Sequence, residues 1–462
     1  MLETTESSLA TARQELDIDV DSELVRNVSD ALGALDDERV RRYVADLRAP
    51  DLADLIEHLA PNERIGFIQA LGTEIDFEIF SELDEAVRDQ LSDELPNDFL
   101  ARAVTELDSD DAAYVLENLE LEDRREVLAQ LNSADRSALL RNLEYADETA
   151  GRIMQSDFVA VAPFWNVGQV IDYMRDAEDL PDTFSAIYVV DPTYRVLGLV
   201  ELSRLLRSRR TVNVEEIMSD QNQVVLATED QEEVARQFER YDLISAPVVD
   251  DNERLVGVIT VDDVVEVIKD EADEDIRRLG GVGDESVFDN VLQTTRSRFV
   301  WLLVNLGTAI LASGVIKLFD ASIDQMVALA ILMPIVASMG GNAGTQTMTV
   351  AVRALATREL GPVNATRIVL RETSVGLING ALFAVILGLV TLLWFGSGAL
   401  GLVIAAAMIF NHLAAALAGI LIPLTLDRLG YDPAIASSVF VTTVTDIMGF
   451  FAFLGLATLW LL

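Results

Sequence analysis

The chain carries one acidic residue in the middle of a long apolar segment near its end. Asp446 follows Thr442, Thr443 and Thr445 and precedes Gly449. A carboxylate at the centre of a bilayer costs about 3 kcal/mol on insertion scales, and such groups usually face a cavity or an ion path. Thr442 lies one helical turn before Asp446 and therefore shares its face. The alternative is a protonated Asp446 that is hydrogen-bonded to a neighbouring helix.

A second polar group lies in an earlier apolar segment. The run from Gly340 to Gln346 contains three glycines together with Asn342 and Gln346. These residues suit close helix packing, or a locally opened backbone whose carbonyl oxygens face an ion. Packing alone explains the glycines, but it explains Asn342 and Gln346 less well. His412, in the next apolar segment but one, is interpreted as a hydrogen-bonded packing residue.

These groups belong to five apolar segments, each close to or above the length of about 20 residues that a membrane-spanning helix needs. The predicted spans are residues 299–316, 326–352, 368–395, 399–426 and 434–461. The arginines near their ends fall on one side of the membrane: Arg296, Arg298, Arg353, Arg358, Arg367, Arg371 and Arg428. This asymmetry predicts a cytosolic N-terminus and, with five spans, an extracellular C-terminus. Residues 1–20 lack the basic start and apolar core of a signal peptide, in agreement with that orientation.

The charge of the chain is confined to its first part. After residue 296 there are seven acidic and seven basic residues, so the whole net charge of −43 lies in the first 296 residues. This surface disfavours nucleic acid as a partner and attracts cations. However, Lys269 and Lys317 are the only lysines, and acidic residues with almost no lysine also suit a protein that works in concentrated salt. Acid density alone therefore identifies no metal site.

Several classes of enzyme are disfavoured by the same composition. The chain has no cysteine, which excludes disulfides, zinc–thiolate sites and thiol catalysis. It has two histidines and no HExxH pattern, which argues against a membrane zinc protease. No enzymatic activity is predicted.

An internal repeat precedes the membrane part. The stretches 188–191 and 196–200 recur 59 residues later as 247–250 and 255–259, each copy reading as strand, turn, strand and helix. This pattern resembles a tandem of CBS domains, which are small sensor modules. The run from Gly257 to Asp263 looks like the nucleotide motif of such domains, which implies adenine nucleotide (ATP) at Thr260 and Asp263. The first copy has Glu201 and Arg204 where Thr and Asp would be expected.

Two further segments flank the repeat. Between about residues 21 and 147 apolar residues recur at helical spacing, as in Leu52, Leu55, Ile56 and Leu59, and short polar breaks separate them. We predict a superhelical stack of short antiparallel helices there. After the repeat, residues 260–295 are charged and compatible with a helix, which the pair Gly280-Gly281 interrupts.

The whole chain resembles the MgtE family of magnesium channels. The resemblance rests on the domain order, the run from Gly340 to Gln346, the threonines before Asp446 with the following Gly449, and the acidic stretch 271–275 before Arg277. It implies a multidomain protein with an all-α N domain, α+β tandem CBS domains, a connecting helix and a five-helix membrane bundle. The expected boundaries are a flexible acidic tail 1–20, helical domain 21–147, CBS domains 148–211 and 212–270, connecting helix 271–297 and pore domain 298–462.

The resemblance also implies sites, in a homodimer whose pore lies on the two-fold axis. The implied pore residues are Asp446, Thr442, Gly341, Asn342 and Gly344. The implied regulatory magnesium ligands are Asp242, Asp263, Glu266, Glu271, Glu274, Asp275 and, in a membrane loop, Asp432. From the helical domain, Asp108, Asp110 and Asp111 are added to this set.

The expected function is Mg²⁺ influx through a channel that cytosolic Mg²⁺ closes. Two facing carboxylates of a dimer would balance one divalent ion, and acidic modules would be drawn together by bound Mg²⁺. The alternative is a proton- or sodium-coupled carrier in which Asp446 is protonated. A sensor that only docks a membrane partner would leave Asp446 and the glycine-rich run unexplained.

Overall fold

The computed structural model of the chain describes residues 22–72, 75–177, 180–181, 183–219, 223–283, 285–288, 291–361 and 363–461, apart from the side chains of residues 293 and 435–437. The predicted acidic tail, residues 1–20, lies outside this part. Two compact units divide the chain, Met1–Glu271 and Ala272–Leu462.

The first unit begins with a stack of short helices. Its described residues between 22 and 142 form ten of them: α1 (Ser22–Gly33), α2 (Asp37–Val44), α3 (Ala49–His58), α4 (Pro61–Leu71), α5 (Ile79–Glu82), α6 (Glu85–Glu94), α7 (Asn97–Glu106), α8 (Ser109–Glu117), α9 (Leu121–Gln130) and α10 (Ser133–Asn142).

The polar breaks of the sequence become the ends of these helices. Asp84 accepts a hydrogen bond from the backbone N–H of Ala86 at 3.0 Å, and Asn132 accepts from Ala134 at 2.9 Å. Such caps satisfy N–H groups that have no partner inside the helix. Each helix then buries one apolar face, as Leu116 of α8 does completely.

Two small sheets follow, and they repeat each other closely. The first consists of β1 (Ala160–Val161), β2 (Ala186–Val190) and β3 (Val196–Glu201), and the second of β4 (Val225–Leu226), β5 (Ser245–Val249) and β6 (Leu255–Thr260). In both, the first pair is parallel and the second antiparallel, with an irregularity in register at Val189/Val190 and at Val248/Val249. The same irregularity 59 residues apart supports the predicted repeat.

Helices surround these sheets, and the two copies exchange one segment. The helices are α11 (Val167–Asp176), α12 (Leu202–Arg207), α13 (Val214–Ile217), α14 (Gln231–Tyr241) and α15 (Val261–Leu279). Met154, which precedes the first copy, belongs to the core of the second, where its sulfur would lie 2.6 Å from a Cβ added at Gly257. Only glycine leaves room there for the methionine, and Gly198 has the same relation to Met218.

The second unit contains the five long apolar helices that the sequence predicted. These are α16 (Val291–Lys317), α18 (Ala328–Ala356), α19 (Ala365–Phe395), α20 (Gly398–Arg428) and α21 (Pro433–Trp460), with the short α17 (Asp320–Gln325) after the first. All five are long and apolar enough to cross a membrane. In the apolar stretch of α20, 56% of the residues are buried, whereas in that of α16 only 6% are buried. Helix α20 is therefore the centre of the bundle, and α16 lies at its edge. Helix α16 begins eight residues before the predicted span, at Val291 rather than Phe299.

Helix α15 carries the chain out of the second sheet. It is continuous over 19 residues, or about 28 Å, and ends at Leu279, directly before the glycine pair that the sequence marked as an interruption. The predicted boundaries between domains stay predictions, and the helix begins ten residues before the boundary set for the connecting segment.

Candidate ion pore and acidic cluster

Asp446 lies near the middle of α21 with a half-buried side chain. No described residue makes a hydrogen bond or ion pair with its carboxylate. The hydroxyl of Thr442, one turn earlier, donates to the carbonyl oxygen of Ser438 at 2.9 Å. The oxygen of the Thr442 hydroxyl can therefore still accept a hydrogen bond or bind an ion, on the helix face that Thr442 shares with Asp446. One face of this membrane helix thus carries a carboxylate that no described residue pairs and a hydroxyl oxygen that can still accept.

In the glycine-rich run of α18, some residues pack against other helices and others are exposed. A Cβ added at Gly344 would lie 2.6 Å from Cγ1 of Val441, so α18 and α21 touch there. The carbonyl oxygen of Gly344 faces Gly419 of α20, because a Cβ at Gly419 would lie 2.7 Å from it. Gly344 is therefore a contact between helices in the subunit, and its predicted place in the pore is weakened. Gly341 is half-buried and Asn342 exposed, which leaves both available to a pore.

Gln346 lines a different space. It faces a polar cavity of about 240 Å³ where α18, α19 and α20 meet, together with Glu372, Asn379 and His412. Glu372 is buried and lies 3.6 Å from the guanidinium of Arg371. Sequence reasoning missed Glu372, although a carboxylate inside a predicted span was the available signal.

His412 behaves as the sequence analysis expected. Its Nδ1–H donates to the carbonyl oxygen of Met408 at 3.0 Å, and its ring stacks on Phe383 with centroids 5.5 Å apart. It is a satisfied, buried packing residue.

Five of the predicted regulatory acids come together in the first unit. Asp110 and Asp111 lie in the first turn of α8, which follows Asp108, and Asp263 lies in the first turn of α15 with Glu266 one turn on. Helix N-termini favour carboxylates, which explains their local placement. The hydroxyl of Ser109 accepts a hydrogen bond from the backbone N–H of Ser156 at 2.6 Å and links the helical stack to the segment whose Gln155 pairs with Val258 of the second sheet.

Burial and mutual repulsion raise the pKa values of these acids. Burial, then Glu266 and Asp263, raises the pKa of Asp111 to about 7. Burial raises the pKa of Asp263 to about 6, against hydrogen bonds from Thr260, and burial followed by Glu82 raises the pKa of Glu266 to about 7. The pKa of Asp110 is also raised, by burial and then by Asp263. A cation would relieve the same repulsion that protons relieve.

The cluster fits Mg²⁺ in the chemistry of its donors. Mg²⁺ prefers oxygen ligands and is usually held by one or two carboxylates with several waters. Asp110 is 4% exposed, and its Oδ1 has no hydrogen-bond partner. An orphaned, buried carboxylate oxygen is costly unless an ion, a water or a proton satisfies it. In the described residues, however, no three acidic or histidine side chains are yet close enough to enclose a metal ion.

The other predicted ligands lie elsewhere. Asp242 is exposed at the end of α14, and Glu271 accepts a hydrogen bond from Gln231 at 2.7 Å. In the second unit, Arg278 pairs with both Glu274 and Asp432, and Asp432 also caps α21 by accepting from the N–H of Ala434 at 2.7 Å. Asp275, half-buried on α15, completes the predicted set.

Comparison with known proteins agrees with this architecture. Family profiles match residues 333–456 as a divalent cation transporter of MgtE type, 47–148 as an MgtE intracellular N domain, and 150–210 and 214–270 as CBS domains. The magnesium transporter MgtE of Bacillus subtilis is 32% identical over 67% of this chain and 69% of its own length. The magnesium transporter MgtE of Thermus thermophilus is 35% identical over 68% of this chain and 70% of its own length. A crystal structure of the cytosolic domain of the Mg²⁺ channel MgtE in complex with ATP covers 53% of this chain and 99% of that chain, at 31% identity and a TM-score of 0.48.

A helical N domain, two CBS modules and five membrane helices define a multi-pass membrane transporter with an intracellular N domain, and not an enzyme. The chain belongs to the MgtE family of magnesium transporters. The resemblance seen in the sequence and the predicted fold class are both confirmed.

The raised pKa values predict how stability depends on pH when divalent ions are removed. Folded Asp111 and Glu266 keep their protons up to about pH 7, whereas unfolded carboxyls lose them near pH 4. The folded state binds more protons in that window, so stability falls as pH rises from about 4 to about 7. The melting temperature of fragment 1–271 in EDTA should therefore decrease from pH 5 to pH 7.5.

Asp111→Asn with Glu266→Gln should make this dependence shallower, because two of the groups that titrate in this window are gone. Glu239→Gln, an exposed change of the same kind, should leave it as in the wild type. A melting temperature that rises over the window, or the same slope in the double variant, would contradict the assignment.

Proposed function

We propose that the chain forms a Mg²⁺-selective channel that admits Mg²⁺ down its electrochemical gradient and is closed by cytosolic Mg²⁺. The observation that carries the proposal is Asp446, a half-buried carboxylate near the middle of α21 that no described residue pairs. An acid in that position is retained at a cost of about 3 kcal/mol, which favours a role toward a cation.

Selectivity follows from charge and hydration in a two-fold dimer. Two copies of Asp446 would supply two negative charges, which balance one divalent ion. Mg²⁺ gives up its water reluctantly and keeps several water ligands. Thr442 and the backbone near Gly341 and Asn342 offer oxygens to such a hydrated ion. Ca²⁺ has the same charge but a larger and looser shell, so the width of the site would discriminate against it.

Gating would begin at the acidic cluster. Without Mg²⁺ its carboxylates repel one another, and bound Mg²⁺ would bridge them and stabilise the state in which they are close. The ion must bind the closed state better than the open one for this shift to occur. Helix α15 carries Asp263 and Glu266 near its start and Glu274, Asp275 and Arg278 near its end. A rigid helix of this length can transmit the change toward the membrane helices, and with five spans the C-terminus would lie outside the cell.

The alternative is a proton- or sodium-coupled carrier. It would use Asp446 as a site that is protonated and deprotonated in each cycle, and its flux would need a second gradient. The two candidates differ in single-channel conductance, which only a pore produces.

Replacement of the central carboxylate is expected to abolish transport. Liposomes that hold the purified Asp446→Ala protein should take up Mg²⁺ at the rate of empty liposomes, because the charge that offsets ion dehydration is lost. Asp320→Ala, which removes an exposed acid of α17, is the matched control and should transport like the wild type.

The same assay separates the candidate functions. Internal Mg²⁺ should suppress wild-type influx, and no proton or sodium gradient should be needed. Influx that persists in Asp446→Ala would show that the pore is elsewhere, and influx that depends on a second gradient would favour the carrier.

Neutralising regulatory acids should weaken closure. In patch recordings, Asp263→Asn, Glu271→Gln and Asp275→Asn together should shift the internal Mg²⁺ concentration for half closure upward, by roughly tenfold if about 1.4 kcal/mol of coupling is lost. Glu122→Gln, Glu239→Gln and Asp251→Asn make the same change of charge at exposed positions. Monovalent salt is held constant, since screening acts on every surface acid. Equal shifts in both triple variants would mean that Mg²⁺ acts by general screening.

We also propose that adenine nucleotide binds the second CBS module. The hydroxyl of Thr260 donates to Oδ2 of Asp263 at 2.7 Å, so the two side chains of the expected motif are already oriented together. ATP titrated calorimetrically into the purified chain should bind about tenfold more weakly to Thr260→Ala, as expected for loss of a hydrogen bond near a charged group. Glu201→Ala changes the matching position of the first module and should leave affinity unaltered; equal affinity in all three proteins would refute the assignment.

A further inference from the structure

The centre of the membrane bundle contains a polar side chain that neither the pore nor the gate requires. Asn411 of α20 is fully buried, 0% exposed, in a bundle whose core is built mainly from apolar residues, with a few buried polar side chains such as His412 and Thr445. Its Nδ2–H donates to the carbonyl oxygen of Val336 on α18 at 2.7 Å. Its Oδ1 has no hydrogen-bond partner in the described part of the chain. A group of this kind costs free energy in an apolar interior, so packing alone would favour an aliphatic residue.

Two glycines on two different helices make the space for this amide. A Cβ added at Gly340 of α18 would lie 2.0 Å from Nδ2 of Asn411, and a Cβ added at Gly449 of α21 would lie 2.9 Å from the same atom. Distances under about 3 Å between these atoms do not occur in folded proteins, so alanine is excluded at Gly340 unless Asn411 moves. The amide is therefore held between the backbones of α18 and α21.

These two helices are the ones that the proposed pore uses. Gly340 directly precedes Gly341 and Asn342, and Gly449 follows Asp446 by about one helical turn. The helices also touch directly at Gly344 and Val441. Along α21, Asp446 thus lies between the direct contact and the contact made through Asn411.

We infer that Asn411 is a positioning residue that sets the distance between α18 and α21 and thereby the width of the site at Asp446. This inference rests on the proposed channel function. A hydrated ion is discriminated by size, so a small change in the separation of these helices alters the ratio of Mg²⁺ to Ca²⁺ influx. The side chain acts through Asp446 and does not itself touch the ion.

The test combines selectivity with rescue in proteoliposomes. Asn411→Ala should lower the ratio of Mg²⁺ to Ca²⁺ influx about tenfold, the middle of the range for coupled neighbours. Gly340→Ala should lower Mg²⁺ influx because the new methyl group displaces the amide. The double variant Gly340→Ala/Asn411→Ala should recover influx relative to Gly340→Ala, since the clashing atoms are gone. Asn411→Leu, of similar size but without the N–H that binds Val336, should also change the ratio and covers the case in which Gly340→Ala does not fold.

Gly376→Ala is the control for a merely structural effect. Its Cβ would lie 2.5 Å from Cβ of Ala416, a clash of similar severity between α19 and α20, away from the proposed pore. It should lower thermal stability without changing the Mg²⁺ to Ca²⁺ ratio, and Asn411→Ala should not rescue it. Rates are compared at equal amounts of folded protein.

The outcomes separate this inference from the channel proposal. Wild-type influx that Asp446→Ala abolishes supports the channel, whatever Asn411 does. With that influx present, an unchanged ratio in both Asn411 variants, or a ratio that Gly376→Ala changes equally, would overturn the inference alone. Absence of wild-type influx would overturn both.

Discussion

The cost of removing a carboxylate from water is the constraint on which this structure depends. A buried acid must find a cation, a hydrogen-bond donor or a proton. The chain places such acids in several locations, among them the cluster of Asp110, Asp111 and Asp263 in the first unit, and Asp446 and Glu372 in the membrane bundle. In the first, the penalty is visible as pKa values raised toward neutrality. The cluster and Asp446 are the places where we propose that a divalent cation binds, and the remaining elements hold these acids in place.

Helix α15 is the element through which the proposed gating would act. Its first turn contributes Asp263, and its last turns contribute Arg278, which pairs with Glu274 on the same helix and with Asp432 at the start of α21. In the proposed gating, a change in repulsion at one end would be carried along this hydrogen-bonded segment to Arg278, whose partner Asp432 lies at the start of a membrane helix. The glycine pair after Leu279 ends the helix, so the next segment can reorient before α16 begins.

The sequence predicted the helices and strands well, but it did not predict which face of each membrane helix packs against which neighbour. The 59-residue repeat, the five spans and the helix ends at polar breaks follow from periodicity and length, and the structure confirms the fold class they imply. The assignment of faces in the membrane part did not follow, because an almost uniformly apolar helix has no amphipathic pattern to orient it. Gly344, one of the predicted pore residues, packs against Val441, and Gln346 of the same run faces the cavity near Glu372.

The acidic residues show why composition could not locate the regulatory site. A chain with a net charge of −43 has many candidate carboxylates, and an acidic surface suited to concentrated salt remains a prediction from composition. Burial distinguishes the acids of the surface from those that are enclosed. Glu239 and Asp242 are exposed, whereas Asp110 is enclosed and one of its carboxylate oxygens has no hydrogen-bond partner among the described residues. Exposed acids are screened by salt of any kind, but a buried cluster is screened little. In the proposed gating, a specific response to Mg²⁺ would thus depend on the removal of a few carboxylates from the solvent that screens the others.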